Sequence, residues 1–186
     1  MTQRTVKSDK LFVVDLETTC SNGNAEQKQN EIIEIGLSIV DTKLFRVEKN
    51  LSIMIKPQRS EVTPFCTQLT GIKPEDVVDG LLLSEASELL MKDYGSLDYV
   101  WASWGDFDRY MMNRECTHYK CRIPFNRQHL NIKVLYGLTY RKDALLGLGA
   151  AVKDSGSTFI GTPHSGVDDA RNAAQLFINM VGKNVQ

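Results

Sequence analysis

Four apolar residues, Leu11-Phe12-Val13-Val14, run directly into Asp15-Leu16-Glu17. The run is short and rich in β-branched and aromatic side chains, so residues 11–16 read as a strand buried in a core. On a strand, residues i and i+2 point to the same side. Asp15 and Glu17 therefore sit together at its end. Two carboxylates held together there repel each other unless a cation lies between them. Taken alone, the pair also fits a solvated strand end.

Two distant segments bear on the same question. One is Trp104-Gly105-Asp106-Phe107-Asp108, and the other is His164-Ser165-Gly166-Val167-Asp168-Asp169-Ala170. Carboxylate oxygens suit hard divalent cations such as Mg²⁺ or Mn²⁺. Two such ions close together stabilise both the attacking and the leaving oxygen of a phosphodiester. A histidine beside them can manage one proton. Four acids and a histidine on three segments thus point to a nuclease.

The pattern between these segments gives the fold class. Ile32 to Val40 and Phe45 to Ile55 read as two strands joined by a hairpin turn at Asp41-Thr42-Lys43, and residues 21–30 read as a polar loop. Thr63-Pro64 starts a short helix that closes at Leu69-Thr70-Gly71-Ile72-Lys73-Pro74, and Pro74 opens another. Ser84 is the expected cap of a helix with apolar residues at 86, 89 and 90. Tyr99-Val100-Trp101-Ala102 reads as a buried strand, and Asp106 begins a helix. Further helices are expected near 131–139, 143–152 and 167–181. Three strands followed by helices alternating with another strand make an α/β fold with a mixed sheet and helices packed against its faces. In such folds a site forms where strand ends meet helix starts. All three acidic segments lie at such places.

The chain has 186 residues, 42% hydrophobic, which fits one domain spanning 1–186 with a core from about residue 10 to 182. No apolar run approaches the roughly 20 residues of a membrane span. The first ten residues are polar, without an apolar signal core, and the cytoplasm is the expected compartment. Net charge is −1 and pI 6.3. That argues against tight wrapping of long nucleic acid. It allows a short grip on a strand end, where bound ions supply local positive charge. Cys20, Cys66, Cys116 and Cys121 form no CxxC pair. His118 and His129 near the last two raise a zinc site as an alternative, and reduced structural thiols are the simpler reading.

Each motif has a second reading. His164, in a loop, can accept a proton from an attacking water or be an ordinary turn histidine. Asp106 and Asp108 compete for the middle position, since Asp106 could cap the helix that Asp108 enters. Trp104 and Phe107 could stack on a base or pack in the core. Asp168 and Asp169 both lie at a helix start, where an acid can meet free N–H groups.

At these positions the chain resembles the DEDDh 3′–5′ exonucleases. Asp15-Leu16-Glu17-Thr18-Thr19 is similar to their first motif, Phe107-Asp108 to the second and His164 to Asp169 to the third. Asn30-Glu31-Ile32-Ile33-Glu34-Ile35-Gly36 resembles their second strand, and Leu69-Thr70-Gly71-Ile72 the loop that touches the terminal nucleotide. Within that group, Asp15-Leu16-Glu17-Thr18-Thr19-Cys20, Gln29 to Glu34 and His164 to Asn172 look most like the ERI-1-like exonucleases. The loop after Cys20 departs from them in lacking a tryptophan often found there.

The resemblance implies a ribonuclease-H-like fold with helices on both faces of the mixed sheet. It also implies stepwise release of 5′-mononucleotides from a single-stranded 3′ end, RNA favoured over DNA. Asp15, Glu17 and Asp169 would hold the first of two metal ions, Mg²⁺ or Mn²⁺. Asp15 would also touch the second, with Asp108 helping directly or through water. His164 would take the water's proton. On this reading Asp169 is the ligand and Asp168 the capping residue. Leu16, Thr18, Cys20, Leu69, Gly71, Trp104 and Phe107 would line the substrate. The alternatives are a non-catalytic nucleic-acid-binding module, a polymerase-associated proofreading exonuclease, and a phosphatase or oligonucleotide hydrolase.

Overall fold

The computed structural model describes residues 6–22 and 30–182, so most of the expected 21–30 loop lies outside the described residues. Five strands, β1 (Lys7–Thr18), β2 (Ile32–Asp41), β3 (Arg46–Met54), β4 (Tyr99–Ser103) and β5 (His129–Asn131), form one sheet in the order β3-β2-β1-β4-β5. β1, β2 and β3 pair antiparallel, whereas β4 runs parallel to β1 and β5 parallel to β4. The sheet is therefore mixed, with the acidic strand at its centre. In the β2–β3 hairpin, Asp41 Oδ1 accepts the N–H groups of Lys43 and Leu44 at 2.8 and 2.9 Å, an aspartate turn made by its own side chain.

Among the described residues, seven α-helices are interspersed with the strands: α1 (Pro64–Thr70), α2 (Pro74–Val77), α3 (Leu83–Asp93), α4 (Phe107–His118), α5 (Ile132–Thr139), α6 (Leu148–Asp154) and α7 (Gly166–Val181). The alternation along β1 sends Phe12, Val14 and Leu16 to one face, against Leu83 and Leu90 of α3 and Met111 and Met112 of α4. Leu11 and Val13 go to the other, against Ile132 and Tyr136 of α5, Ala151 of α6 and Ala173, Ala174 and Phe177 of α7. Helices thus cover both faces. Leu11, Phe12, Val13, Val14 and Leu16 are all buried. At about 1.5–3 kcal/mol for each such side chain, they hold β1 in place despite the repelling acids at its end. No helix among the described residues is long and apolar enough to cross a membrane.

Local starts and stops differ from the expectations at several points. Ser84 does not cap α3, which begins at Leu83 with Leu82 as its N-cap. The Glu85 carboxylate reaches back to accept the Leu82 N–H at 2.8 Å. The acid three residues past the cap sets the start, and Glu88 instead pairs with Lys92. β5 was not expected. It is three residues long, and Asn131 ends it by capping α5 through the Val134 N–H at 3.1 Å. The helix expected over 143–152 begins only at Leu148. Gly147 is its extended cap, and the Leu146 carbonyl is taken by the Trp104 indole N–H at 3.1 Å. The last helix starts one residue earlier than expected, at Gly166.

Candidate active site

The alternation that buries Leu11 and Val13 puts Asp15 and Glu17 on the α7 side of β1. β4 pairs with β1 only as far as Val13, opposite Ala102, so the last part of β1 projects beyond it. The Leu16 N–H on this free stretch is accepted by Asp108 Oδ1 at 2.9 Å. Asp108 is in the first turn of α4 and is buried. From the β2 side, α7 brings Asp169, and the loop before α7 brings His164. The Glu17, His164 and Asp169 donor atoms all lie within 4.8 Å of one another. His164 is exposed and sits in the left-handed backbone region at φ 66°, uncommon for a residue with a side chain. Its N–H donates to Asp169 Oδ2 at 3.2 Å, which ties the loop to the helix.

The electrostatics of these acids are lopsided. Burial, then Asp108, Asp169 and Glu17, hold the Asp15 carboxyl well above the ordinary carboxylate range. Burial and the charges of Asp169, Glu34 and Asp108 push Glu17 up to about 9. Asp108 is pushed up to about 6 by burial, against the pull of the Leu16 N–H. Asp169 is also raised to about 6, mainly by burial. No cationic side chain is among the neighbours that perturb Asp15 or Glu17. Crowded carboxylates beside an imidazole fit a divalent cation, which would restore their charged forms. Oxygen donors with one nitrogen are the donor set such an ion accepts.

The competing readings now have positions. Asp106 stands at the N-cap of α4 without a side-chain cap bond; its carboxylate instead accepts from Asn131 Nδ2 at 2.9 Å. Asp168 does not cap α7 as expected. Its side chain accepts the Thr162 N–H at 2.9 Å, because α7 starts two residues earlier and leaves Asp168 facing the preceding loop. Leu16 is buried in the core, so only its backbone reaches the site. Thr18 is buried, and its carbonyl accepts the Cys66 thiol at 3.4 Å. The half-buried Cys20 accepts Thr63 Oγ1 on its carbonyl at 2.6 Å. These bonds lash the chain after Glu17 to the start of α1.

At the far end of α1, Leu69 is exposed and Gly71 closes the helix at φ 78° with open space around it. The Trp104 ring tilts against Tyr136 at 5.7 Å and belongs to the α5–α7 core cluster. That is the packing reading of Trp104, whose ring is half-buried against the cluster. Phe107 remains exposed. The zinc alternative finds no support at Cys116, a buried thiol 3.6 Å from Met112 Sδ that burial pushes upward.

Glu34 was missed as a participant. It is buried on β2 and its carboxylate binds the first N–H groups of α7. The signal was available in Ile33-Glu34-Ile35, an acid inside a strand buried at every residue up to Val40.

The sequence profile of the Exonuclease family (RNase T) matches residues 12–177. The chain belongs to this family. It is 27% identical to ERI1 exoribonuclease 2 of Homo sapiens over 93% of this chain and 28% of that protein. It is also 27% identical to 3′-5′ exoribonuclease 1 of Rattus norvegicus, over 93% of this chain and 53% of that one. The chain therefore spans about half or less of the relatives it matches. The nuclease domain of 3′hExo, a DEDDh family member solved with rAMP, superposes with a TM-score of 0.86 at 25% identity, covering 94% of this chain and 92% of that domain. The mixed five-stranded sheet is thus the ribonuclease-H-like fold of the DEDDh exonucleases, and that fold implies divalent metal ions.

Proposed function

We propose that this exonuclease domain removes 5′-mononucleotides one at a time from the 3′ end of single-stranded nucleic acid, RNA in preference to DNA. One observation carries the reading: buried and half-buried carboxylates from β1, α4 and α7 converge beside His164, and the neighbours that perturb Asp15 and Glu17 are all acids. The preference for RNA is supported by relatives that are named exoribonucleases and by the rAMP held by the similar 3′hExo domain.

Two divalent ions, Mg²⁺ or Mn²⁺, would supply Lewis acidity and charge neutralisation at the scissile phosphate when bound. Asp15, Glu17 and Asp169 would hold one, and Asp15 with Asp108 the other. The Leu16 N–H fixes the Asp108 carboxylate at the end of β1, so the distance between the two binding positions is set by strand and helix. His164, exposed on its loop, takes a proton from the attacking water at a ring nitrogen. Its bond to Asp169 keeps it over the acids. Leu69 and Gly71 present an open edge at the end of α1 for the terminal nucleotide, and Phe107 an exposed face for a base.

Digestion of 3′- and 5′-labelled single-stranded RNA and DNA with Mg²⁺ or Mn²⁺ tests this. The 3′ label should be released first as mononucleotide, RNA should be consumed faster, and EDTA should stop the reaction. Internal fragments from a circular single strand would overturn the exonuclease reading. Cleavage that needs an added polymerase would point to a proofreading accessory.

A further inference from the structure

The β2–α7 crossing contains a contact that the proposed chemistry leaves unused. Glu34 is 2% exposed, between Ile33 and Ile35 in a mostly apolar strand. Its Oε2 accepts the Gly166 N–H at 2.9 Å, and its Oε1 the Val167 N–H at 3.3 Å and the Ser52 hydroxyl at 2.7 Å. Gly166 and Val167 are the first two residues of α7, whose N-cap Ser165 makes no side-chain cap bond. An acid from a different strand therefore does the work that a capping residue does locally. The chains approach so closely here that a Cβ on Gly36 would overlap the Gly166 backbone, and one on Gly166 would press on the Glu34 carboxylate.

The start of α7 is the piece of backbone that presents the third acidic segment. His164 lies two residues before Gly166 and Asp169 three after it. We propose that Glu34 is a positioning residue: its carboxylate clamps the first turn of α7 to β2, so that His164 and Asp169 meet Glu17 in fixed geometry. Both Glu34 oxygens accept N–H or O–H donors from the protein, the contacts of an anchor, and the count of bound ions in the test separates this role from that of a ligand. A carboxylate that orients catalytic groups from behind typically costs 10- to 100-fold when removed. The inference rests on the exonuclease reading above.

The test combines Glu34→Gln with Ser52→Ala, the latter an exposed β3 position that removes one donor without disturbing the core. Expected for Glu34→Gln are a kcat lower by roughly 10- to 100-fold, an unchanged KM for single-stranded RNA, an unchanged number of bound Mn²⁺ ions by calorimetry, and faster amide exchange at Gly166 and Val167. Ser52→Ala should move kcat and exchange the same way by less. Wild-type kcat per folded molecule in Glu34→Gln overturns the proposal, as does loss of a Mn²⁺ site, which would make Glu34 a ligand. Should Glu34→Gln not fold, unchanged kcat and exchange in Ser52→Ala overturn it. Amide exchange is read without turnover, so it decides the clamp even if the wild type cleaves no RNA.

Discussion

Two groups of buried acids lie in the same small domain and are treated in opposite ways. In the first, Glu31 on the approach to β2 accepts the Gln58, Arg59 and Ser60 N–H groups at 2.9, 2.6 and 2.5 Å, with the Tyr119 hydroxyl as a further donor. Arg59 bridges it to Glu115 at 3.6 and 2.6 Å, and Arg114 adds a second guanidinium to Glu115 at 3.0 Å. Burial alone would raise Glu31, yet Tyr119 and the backbone donors outweigh it and carry the carboxyl below its usual value. In the second, Asp15, Glu17, Asp108 and Asp169 are raised. Glu31 and Glu115 are at least as buried as Glu17 and Asp108, so burial does not distinguish a site from a scaffold. The missing counter-charge does. A buried charge without a partner is costly, and a protein keeps such a cluster where an external cation completes it.

The contrast is broken or sharpened first by removing one member from each group. Arg59→Met leaves Glu31 and Glu115 short of a cation, and the protein should lose about 3 kcal/mol of stability. Asp15→Asn removes one of four crowded acids whose ionisation the others and burial oppose. It should melt, without metal, at or above the wild-type temperature while losing all activity. Thermal melts in EDTA decide this. If Asp15→Asn falls as far as Arg59→Met, the acids of β1 are structural and the comparison fails.

The second test lies within α4. Asp108→Ala should lower kcat at least about a hundredfold, or about 2.7 kcal/mol in barrier. Asp106→Ala should lower it far less, because Asp106 faces Asn131 rather than the Leu16 N–H. The reverse order in a kinetic comparison would transfer the middle position to Asp106.

How much of this was readable in advance follows from the kind of signal involved. β1 was legible because an apolar run ending in two acids has few explanations, and the end of β1 is where Asp15 and Glu17 stand. The sheet's two covered faces followed from alternation in β1 and helical spacing in α7. Asp108 was chosen over Asp106 only through the family resemblance, since the deciding contact with Leu16 N spans 92 positions. The partners of Glu34, Arg59 and Glu115 were hidden for the same reason, being far along the chain, although an acid set among the isoleucines of β2 already marked Glu34 as unusual. Helix starts at Leu83 and Leu148 were misplaced because the Glu85 carboxylate and the distant Trp104 N–H, not the nearest serine or periodicity, take the backbone groups just before them. Trp104 packs inward because Leu146 supplies an acceptor for its N–H.

A third test adds the absent counter-charge. At ten times its Kd, Mn²⁺ should stabilise the wild type by about 1.4 kcal/mol. Asp15→Asn should gain much less, and Arg59→Met as much as the wild type, since Arg59 pairs with Glu31 and Glu115 and its loss leaves the acids of β1 intact. A wild type whose melting temperature ignores Mn²⁺ would end the metal-site reading while leaving the Arg59 network untouched.

The smallest effect, a few degrees, is expected from pH. Asp108 and Asp169 each sit near 6 in the folded protein, above the usual carboxylate value near 3.8. A carboxyl raised by folding contributes stability that is complete below its unfolded pKa and lost as pH rises through the folded one. For these two groups the loss runs from 3.8 to about 6, so the metal-free protein should melt higher at pH 5.5, before the loss is complete, than at pH 7.5. Glu17, near 9, keeps its proton in the folded protein across that window while the unfolded chain has already lost it, so it adds to the same downward slope. Glu31 has the opposite sign. Its folded value is lowered from 4.5, so its contribution is present above that value and disappears only in more acidic solution. The two groups thus titrate in separate windows with opposite slopes. Mn²⁺ should flatten or invert the slope between pH 5.5 and 7.5, because cation binding favours the charged carboxylates. A metal-free protein that instead gains stability steadily from pH 5.5 to 7.5 would show that the acids at the end of β1 are neutralised within the protein, as Glu31 is.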